Sequence, residues 1–236
     1  MLTKFFRKAV TFIAVLAGAF LVLSAGSVFL LKHINPPTTS FMLQRTAEVI
    51  LNSEEQVDIR YEWVDWDQIS PYIKVAVVTS EDQNFASHRG FDLESIRDAI
   101  REYQRGEGLR GASTISQQTA KNLFLWPGQS LFRKVVEAYF TILIEWMWTK
   151  KRILEIYLNI AEFGNGIYGV KAASEQFFGI EPSELTMLQS ALMATALPSP
   201  RRYDVGRPSP YMIRQRNWII EYMFYLGNTE YLEKLE

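Results

Sequence analysis

From Ala9 to Leu31 the chain runs without a single charged residue. At 1.5 Å of rise per residue, a helix of this length crosses a hydrocarbon core of about 30 Å while satisfying its own backbone hydrogen bonds. Lys4, Arg7 and Lys8 precede the run, and only Lys32 and His33 follow it. The positive-inside bias therefore puts residues 1–8 in the cytoplasm, residues 9–31 in the bilayer and the rest of the chain beyond it. A cleaved signal peptide is the alternative, with Ser24-Ala25-Gly26-Ser27 supplying small residues. Against it, the run exceeds the roughly 7–15 apolar residues of such leaders.

The roughly 200 residues that remain suffice for one well-cored domain. With 25 basic and 26 acidic side chains, the charge is balanced and gives no polyanion-binding field, so no nucleic-acid partner is expected. The absence of cysteine excludes a disulfide framework and thiolate-bound metal. Asn35-Pro36-Pro37-Thr38-Thr39-Ser40 cannot continue a helix, because consecutive prolines remove donors and clash with the preceding turn. Residues 32–69 read as a stem and approach segment, in which Val57, Ile59, Tyr61 and Trp63 alternate with polar residues as a short half-buried strand would.

Residues 70–236 read as a mainly α domain. Ser70 as a cap with Pro71 at the first helical position starts a helix that runs to about Ser80, leaving Glu81 and Asp82 at its carboxyl end. Asp92 caps a second helix to about Arg105. A loop with two glycines follows from Gly106 to Ala112, and a short helix carries Ser116 to Asn122. Ser130 caps a longer helix with an apolar stripe of Val136, Tyr139, Phe140, Leu143 and Met147, and Arg133 and Glu137 share another face. Further helices are expected over 151–161, 168–177, 183–197 and 210–226.

Five unusual blocks punctuate this domain: Glu81-Asp82-Gln83-Asn84-Phe85-Ala86-Ser87-His88-Arg89-Gly90; Gly111-Ala112-Ser113-Thr114-Ile115-Ser116-Gln117-Gln118; Arg133-Lys134 with Glu137; Lys150 with Ile153-Leu154-Glu155 and Tyr157-Leu158-Asn159; and Ala191 to Pro200. Together, from about Ser70 to about Tyr203, they resemble the five motifs of the peptidoglycan glycosyltransferase family, in the form found in its monofunctional branch. The resemblance implies a lysozyme-like helical glycosyltransferase domain behind one transmembrane helix, in the bacterial inner membrane with the domain in the periplasm. It also implies the reaction: polymerisation of lipid II into β-1,4-linked strands, with inversion and release of undecaprenyl diphosphate. Partners would be lipid II, the nascent strand, the bilayer and proteins of cell-wall synthesis or division.

By position in the first motif, Glu81 is the expected base for the acceptor hydroxyl, and Glu137 the second catalytic carboxylate. Arg133 and Lys134 suit the leaving diphosphate, a bidentate donor beside a point charge, and Lys150 is expected to join them. Ser113, Thr114, Gln117 and Gln118, continued by Lys121 and Asn122, offer hydroxyls and amides to a hydroxyl-rich glycan. No cofactor is required, although a magnesium or manganese ion could bridge the diphosphate. His88 reads as a structural hydrogen-bonding group in the first-motif loop, and Asp82 as either a supporting partner for that loop or an ordinary helix-end residue. Leu123 to Trp126 reads as core or as a membrane-facing patch. A glycan-cleaving enzyme would share the lysozyme-like setting but has no use for a diphosphate cluster. No serine is followed by lysine three positions on, so no penicillin-binding nucleophile motif is present.

Overall fold

The local start signals of the helices are obeyed closely. In the computed structural model, which describes residues 2–52, 57–106, 111, 113–128 and 130–235, the chain divides into a unit of residues 1–36 and a unit of residues 37–236. The first contains α1 (Leu2–Leu31), in which Phe6–Leu31 is long and apolar enough to cross a membrane. It fits a single-pass anchor.

The second unit begins earlier than residue 70. Its α2 (Ser40–Leu51) is capped by the Thr39 hydroxyl, which accepts from Met42 N. Arg45 is 4% exposed and donates to Asn165 Oδ1 at 2.9 Å. The segment that reads as an approach on sequence grounds is thus packed into the larger unit. The strand expected over residues 57–63 shrinks to β1 (Arg60–Tyr61), which pairs in parallel with β3 (Ile167–Tyr168), itself antiparallel to β2 (Glu162–Gly164).

Seven consecutive buried residues, Ile73 to Thr79, make α3 (Pro71–Glu81) the central helix. Ser70 caps it, and Glu81 is its last residue. Asp92 caps α4 (Leu93–Gln104) through bonds from Glu94 N and Ser95 N. Then follow α5 (Ile115–Phe124), α6 (Leu131–Met147) capped by Ser130, α7 (Lys150–Ile160) and α8 (Gly169–Phe178). The helix expected over 183–197 is interrupted: a 3₁₀ turn over Pro182–Glu184 precedes α9 (Met187–Ala194), which restarts at a capping box between Thr186 and Gln189. The last α-helix is α10 (Pro210–Tyr225), and a 3₁₀ helix over Asn228–Leu235 follows it. Helix α3 packs against α9 and α10, while α5 packs on α2, α6 and α7. The fold is mainly α and lysozyme-like, as expected.

Gly169 fixes the join between β3 and α8. Its φ is +82°, and a Cβ there would lie 2.4 Å from the Asn159 carbonyl oxygen. Asn159 is fully buried and pins Val64 through both its amide groups, at 2.8 and 2.9 Å. Gly169→Ala combines a disfavoured backbone angle with a clash against main chain, and is expected to destabilise the domain by ~3 kcal/mol or more. A drop in the thermal midpoint checks this, and an unchanged midpoint would contradict it.

Candidate active site

The end of α3 and the first turns of α5 are tied together by the first-motif loop. Asp82 is buried and accepts from Ile115 N at 2.9 Å, while His88 Nε2 lies 2.9 Å from each of its oxygens. Gly90 N donates to His88 Nδ1 at 3.0 Å, which places the ring proton on Nε2, toward Asp82. His88 is the structural group that sequence suggested, and Asp82 is its partner.

Glu81 sits half-buried where this loop begins. Its Oε2 accepts from Gln118 Nε2 at 2.7 Å, and Gln118 Oε1 in turn accepts from the Tyr157 hydroxyl at 3.0 Å. The amide is thereby fixed in one orientation. Burial raises the Glu81 pKa; the bond from Gln118 and the charge of Lys121 oppose the rise. A carboxylate raised in this way is the stronger base. Glu81, Ser113, Gln118 and Lys121 line one cleft of ≈ 660 Å³ together with Tyr211, Gln215 and Trp218. Gln118 and Lys121 also line a second cleft of ≈ 460 Å³, with Asn122, Glu162, Arg201 and Arg202.

The second carboxylate is buried on α6. Arg133 Nη1 donates to Glu137 Oε2 at 2.7 Å, Lys134 Nζ bonds Glu137 Oε1, and Glu137 is 2% exposed. Lys134 also reaches Ser113 Oγ at 3.4 Å. Among the described residues, Arg133 Nε is buried without a hydrogen-bond partner, and a buried donor left unpaired carries a desolvation cost. Lys121 couples the two carboxylates: burial lowers its pKa, Glu137 and Glu81 pull it up, and Arg133 and Lys134 push it down.

Three expected ligand groups are placed differently. Thr114 and Gln117 are buried and form the capping box of α5; the Thr114 hydroxyl also donates to Gly90 O at 2.7 Å. Their hydrogen-bonding capacity is used in positioning Gln118 and Lys121, and the Thr-x-x-Gln spacing is itself the sequence sign of such a box. Lys150 is bonded to Glu145 Oε1 at 2.7 Å and lies over the Phe85 ring at 4.5 Å. Its charge is matched by Glu145, which also accepts from Ser116 Oγ. Tyr157 stands in the fourth block but had no role assigned from sequence, and Glu145 was not singled out at all. Glu145 carries no local signal, because its partners Lys150 and Ser116 lie outside α6.

Leu123 and Leu125 are buried, and Phe124 stacks on Phe140 with ring centroids 4.3 Å apart. Most of that run is core. Trp126 is exposed at its end, and α6 adds an exposed apolar face of Leu131, Phe132, Val135, Ile142 and Trp146. Ala112 lies outside the described residues, as does most of the loop between α4 and α5. Among the described residues, no group of three or more His, Asp or Glu converges as a metal site, and Glu137 is already held by two cations. The described residues do not fit a cation held by the protein.

A mainly helical, lysozyme-like domain that holds a raised carboxylate in a cleft, beside a second carboxylate that clamps two cations, is the setting of an enzyme. Residues 47–224 match the model of the Transglycosylase family. The chain belongs to that family and is a glycosyltransferase. It is 46% identical over 229 residues to a biosynthetic peptidoglycan transglycosylase of Pseudomonas putida, covering 96% of this chain and 97% of the relative. A relative of the same description in Pseudomonas aeruginosa is 42% identical over the full length of both chains. One in Xanthomonas campestris pv. campestris is 46% identical over 227 residues, covering 96% of this chain and 92% of the relative.

Proposed function

We propose that this enzyme polymerises lipid II into β-1,4-linked peptidoglycan strands. Glu81 takes the proton from the GlcNAc 4-hydroxyl of the acceptor as that oxygen bonds to the anomeric carbon of the MurNAc at the reducing end of the growing strand. The bond from that carbon to the diphosphate breaks with inversion, and undecaprenyl diphosphate carries away the electron pair. Arg133, with its unpartnered Nε, and Lys134 receive the charge that develops on the diphosphate. No step is routed through a metal; a divalent ion chelated by the diphosphate would arrive with the substrate.

The observation that carries the reading is the Gln118–Lys121 turn of α5. It lines both clefts and bonds Glu81 while Lys121 stands in the field of the Glu137 cluster. One side of the site is thereby suited to a hydroxyl nucleophile and the other to an anionic leaving group. The exposed apolar face of α6 supports access to a substrate anchored in a bilayer. The charge pattern around α1 supports a single-pass inner-membrane protein with its catalytic domain in the periplasm.

The test is polymerisation of purified lipid II by the full chain in detergent, read as glycan length on a gel. Polymer is expected. A well-folded protein that makes none, or that shortens preformed glycan, would overturn the reading.

The pH profile offers a further check. Glu81 must be unprotonated, so its raised pKa moves the acid limb above the usual carboxylate range near 4.3. Lys121 must be charged, so its lowered pKa brings the alkaline limb down. Because a guanidinium stays protonated, Lys121→Arg is expected to move the alkaline limb to higher pH. An unmoved limb would assign it to another group.

A further inference from the structure

Helix α10 carries an aromatic series that the reaction above does not use. Tyr211, Gln215, Trp218, Tyr222 and Tyr225 follow one another in steps of four and three residues, which keeps them on one side of a helix. Met212, Ile219 and Met223 form the buried side. Tyr211, Gln215 and Trp218 line the cleft that holds Glu81. Beyond it, the Trp218 and Tyr222 rings lie 4.4 Å apart and the Tyr222 and Tyr225 rings 5.5 Å apart. The series ends on Tyr225, which is 76% exposed.

We propose that this face of α10 is a glycan track, a row of subsites that holds the saccharide strand beyond the sugars at the reacting bond. The proposal rests on reading the Glu81 cleft as the place of sugar transfer. An aromatic face carries partial negative charge, and the face of a β-linked pyranose presents polarised C–H groups that pack flat against it. Phenol hydroxyls, the indole N–H and the Gln215 amide stand at the ring edges, where they can bond the equatorial hydroxyls. Successive rungs are about one turn apart, ~5.4 Å, and the series spans about 21 Å, enough for several sugars in an extended chain. No rung is charged, which suits a neutral sugar backbone and not a diphosphate.

Tyrosine and tryptophan also collect at bilayer interfaces. Continuity with the catalytic cleft favours the glycan: three of the five rungs line the cavity that contains Glu81, where a lipid surface cannot follow.

The experiment uses the full chain in detergent micelles with a hexamer of β-1,4-linked GlcNAc as the probe, measured by calorimetry, alongside the length of glycan made from lipid II. Tyr222→Ala with Tyr225→Ala is expected to weaken hexamer binding about tenfold and to shorten the glycan severalfold. Tyr222→Phe with Tyr225→Phe keeps the ring faces and is expected to stay close to wild type in both. Helical circular dichroism verifies the fold. Should the double alanine variant misfold, Tyr225→Ala alone, at an exposed ring, carries the test. Unchanged affinity and length in a folded alanine variant would overturn the track, as would a loss confined to binding of lipid vesicles. If wild type binds the hexamer through these rings but makes no polymer, the transfer reading falls and the track stands. If it makes polymer but the rings do not affect binding or length, the track falls alone.

Discussion

Glu81→Gln is expected to remove nearly all glycan synthesis while leaving the domain as stable as before, or more so. Glutamine keeps the size of the side chain and an oxygen for the bond from Gln118 Nε2, now 2.7 Å long. It cannot take a proton. The rate should fall about 10²–10⁴-fold, the usual worth of general base catalysis. The stability expectation follows from the direction of the pKa. Burial raises the folded value above the unfolded one, so the folded state prefers the protonated form. The associated stability is fully present below the unfolded pKa and is lost as pH rises through the folded one. At neutral pH the ionised carboxylate is therefore a net cost, and the amide relieves it. Thermal midpoints and polymerisation rates measured on the same preparations separate the possibilities. A folded variant with the wild-type rate would remove Glu81 from the base role, and a variant that loses both rate and midpoint would make it structural.

What was legible in the chain was whatever is decided locally. Ser70-Pro71, Asp92 and Ser130 announce helix starts because a cap is settled within three residues of itself. The same logic explains the misplaced start of α9: Ser183 resembles a cap, but the Thr186–Gln189 box three residues on closes a better one. Helix α2 was not legible. Its buried residues are Met42 and Arg45, the second held by Asn165 from far along the chain, while Leu43, Ile50 and Leu51 are exposed, so its apolar residues do not mark one inner face. The site divides in the same way. The residues proposed for transfer, Glu81, Glu137, Arg133 and Lys134, stand in the motifs themselves. Which cation meets which anion depends on packing between helices, so the pairing of Lys150 with Glu145 emerged only in three dimensions. Polar residues in a motif can serve substrate or scaffold. Gln117 and Gln118 are neighbours, yet one closes a helix cap and the other bonds Glu81.

Glu137→Gln is expected to lower both turnover and stability, with a kinetic signature distinct from that of Arg133→Ala. Glu137 is buried and anchors Arg133 and Lys134, one on each oxygen. An amide offers one acceptor and one donor group, so it can keep only one of these cations and turns an N–H toward the other. Breaking a buried pair costs about 3–5 kcal/mol; the loss here should fall at or below the lower end, because the Lys134 side chain is 45% exposed and can turn toward water. In the proposed reaction, Glu137 holds both cations in place before substrate arrives, and it competes with the diphosphate for them once it does. Removing its charge strengthens ground-state attraction for the diphosphate but leaves the donors unaligned for the departing oxygen. The turnover number should therefore fall about 10²–10³-fold, the scale of a lost electrostatic stabiliser, with KM for lipid II unchanged or lower. Arg133→Ala removes the bidentate donor itself, so KM should rise as turnover falls. A rise in KM for Glu137→Gln matching that of Arg133→Ala would mean that the carboxylate binds substrate directly, and that the two cations do not depend on it for their alignment.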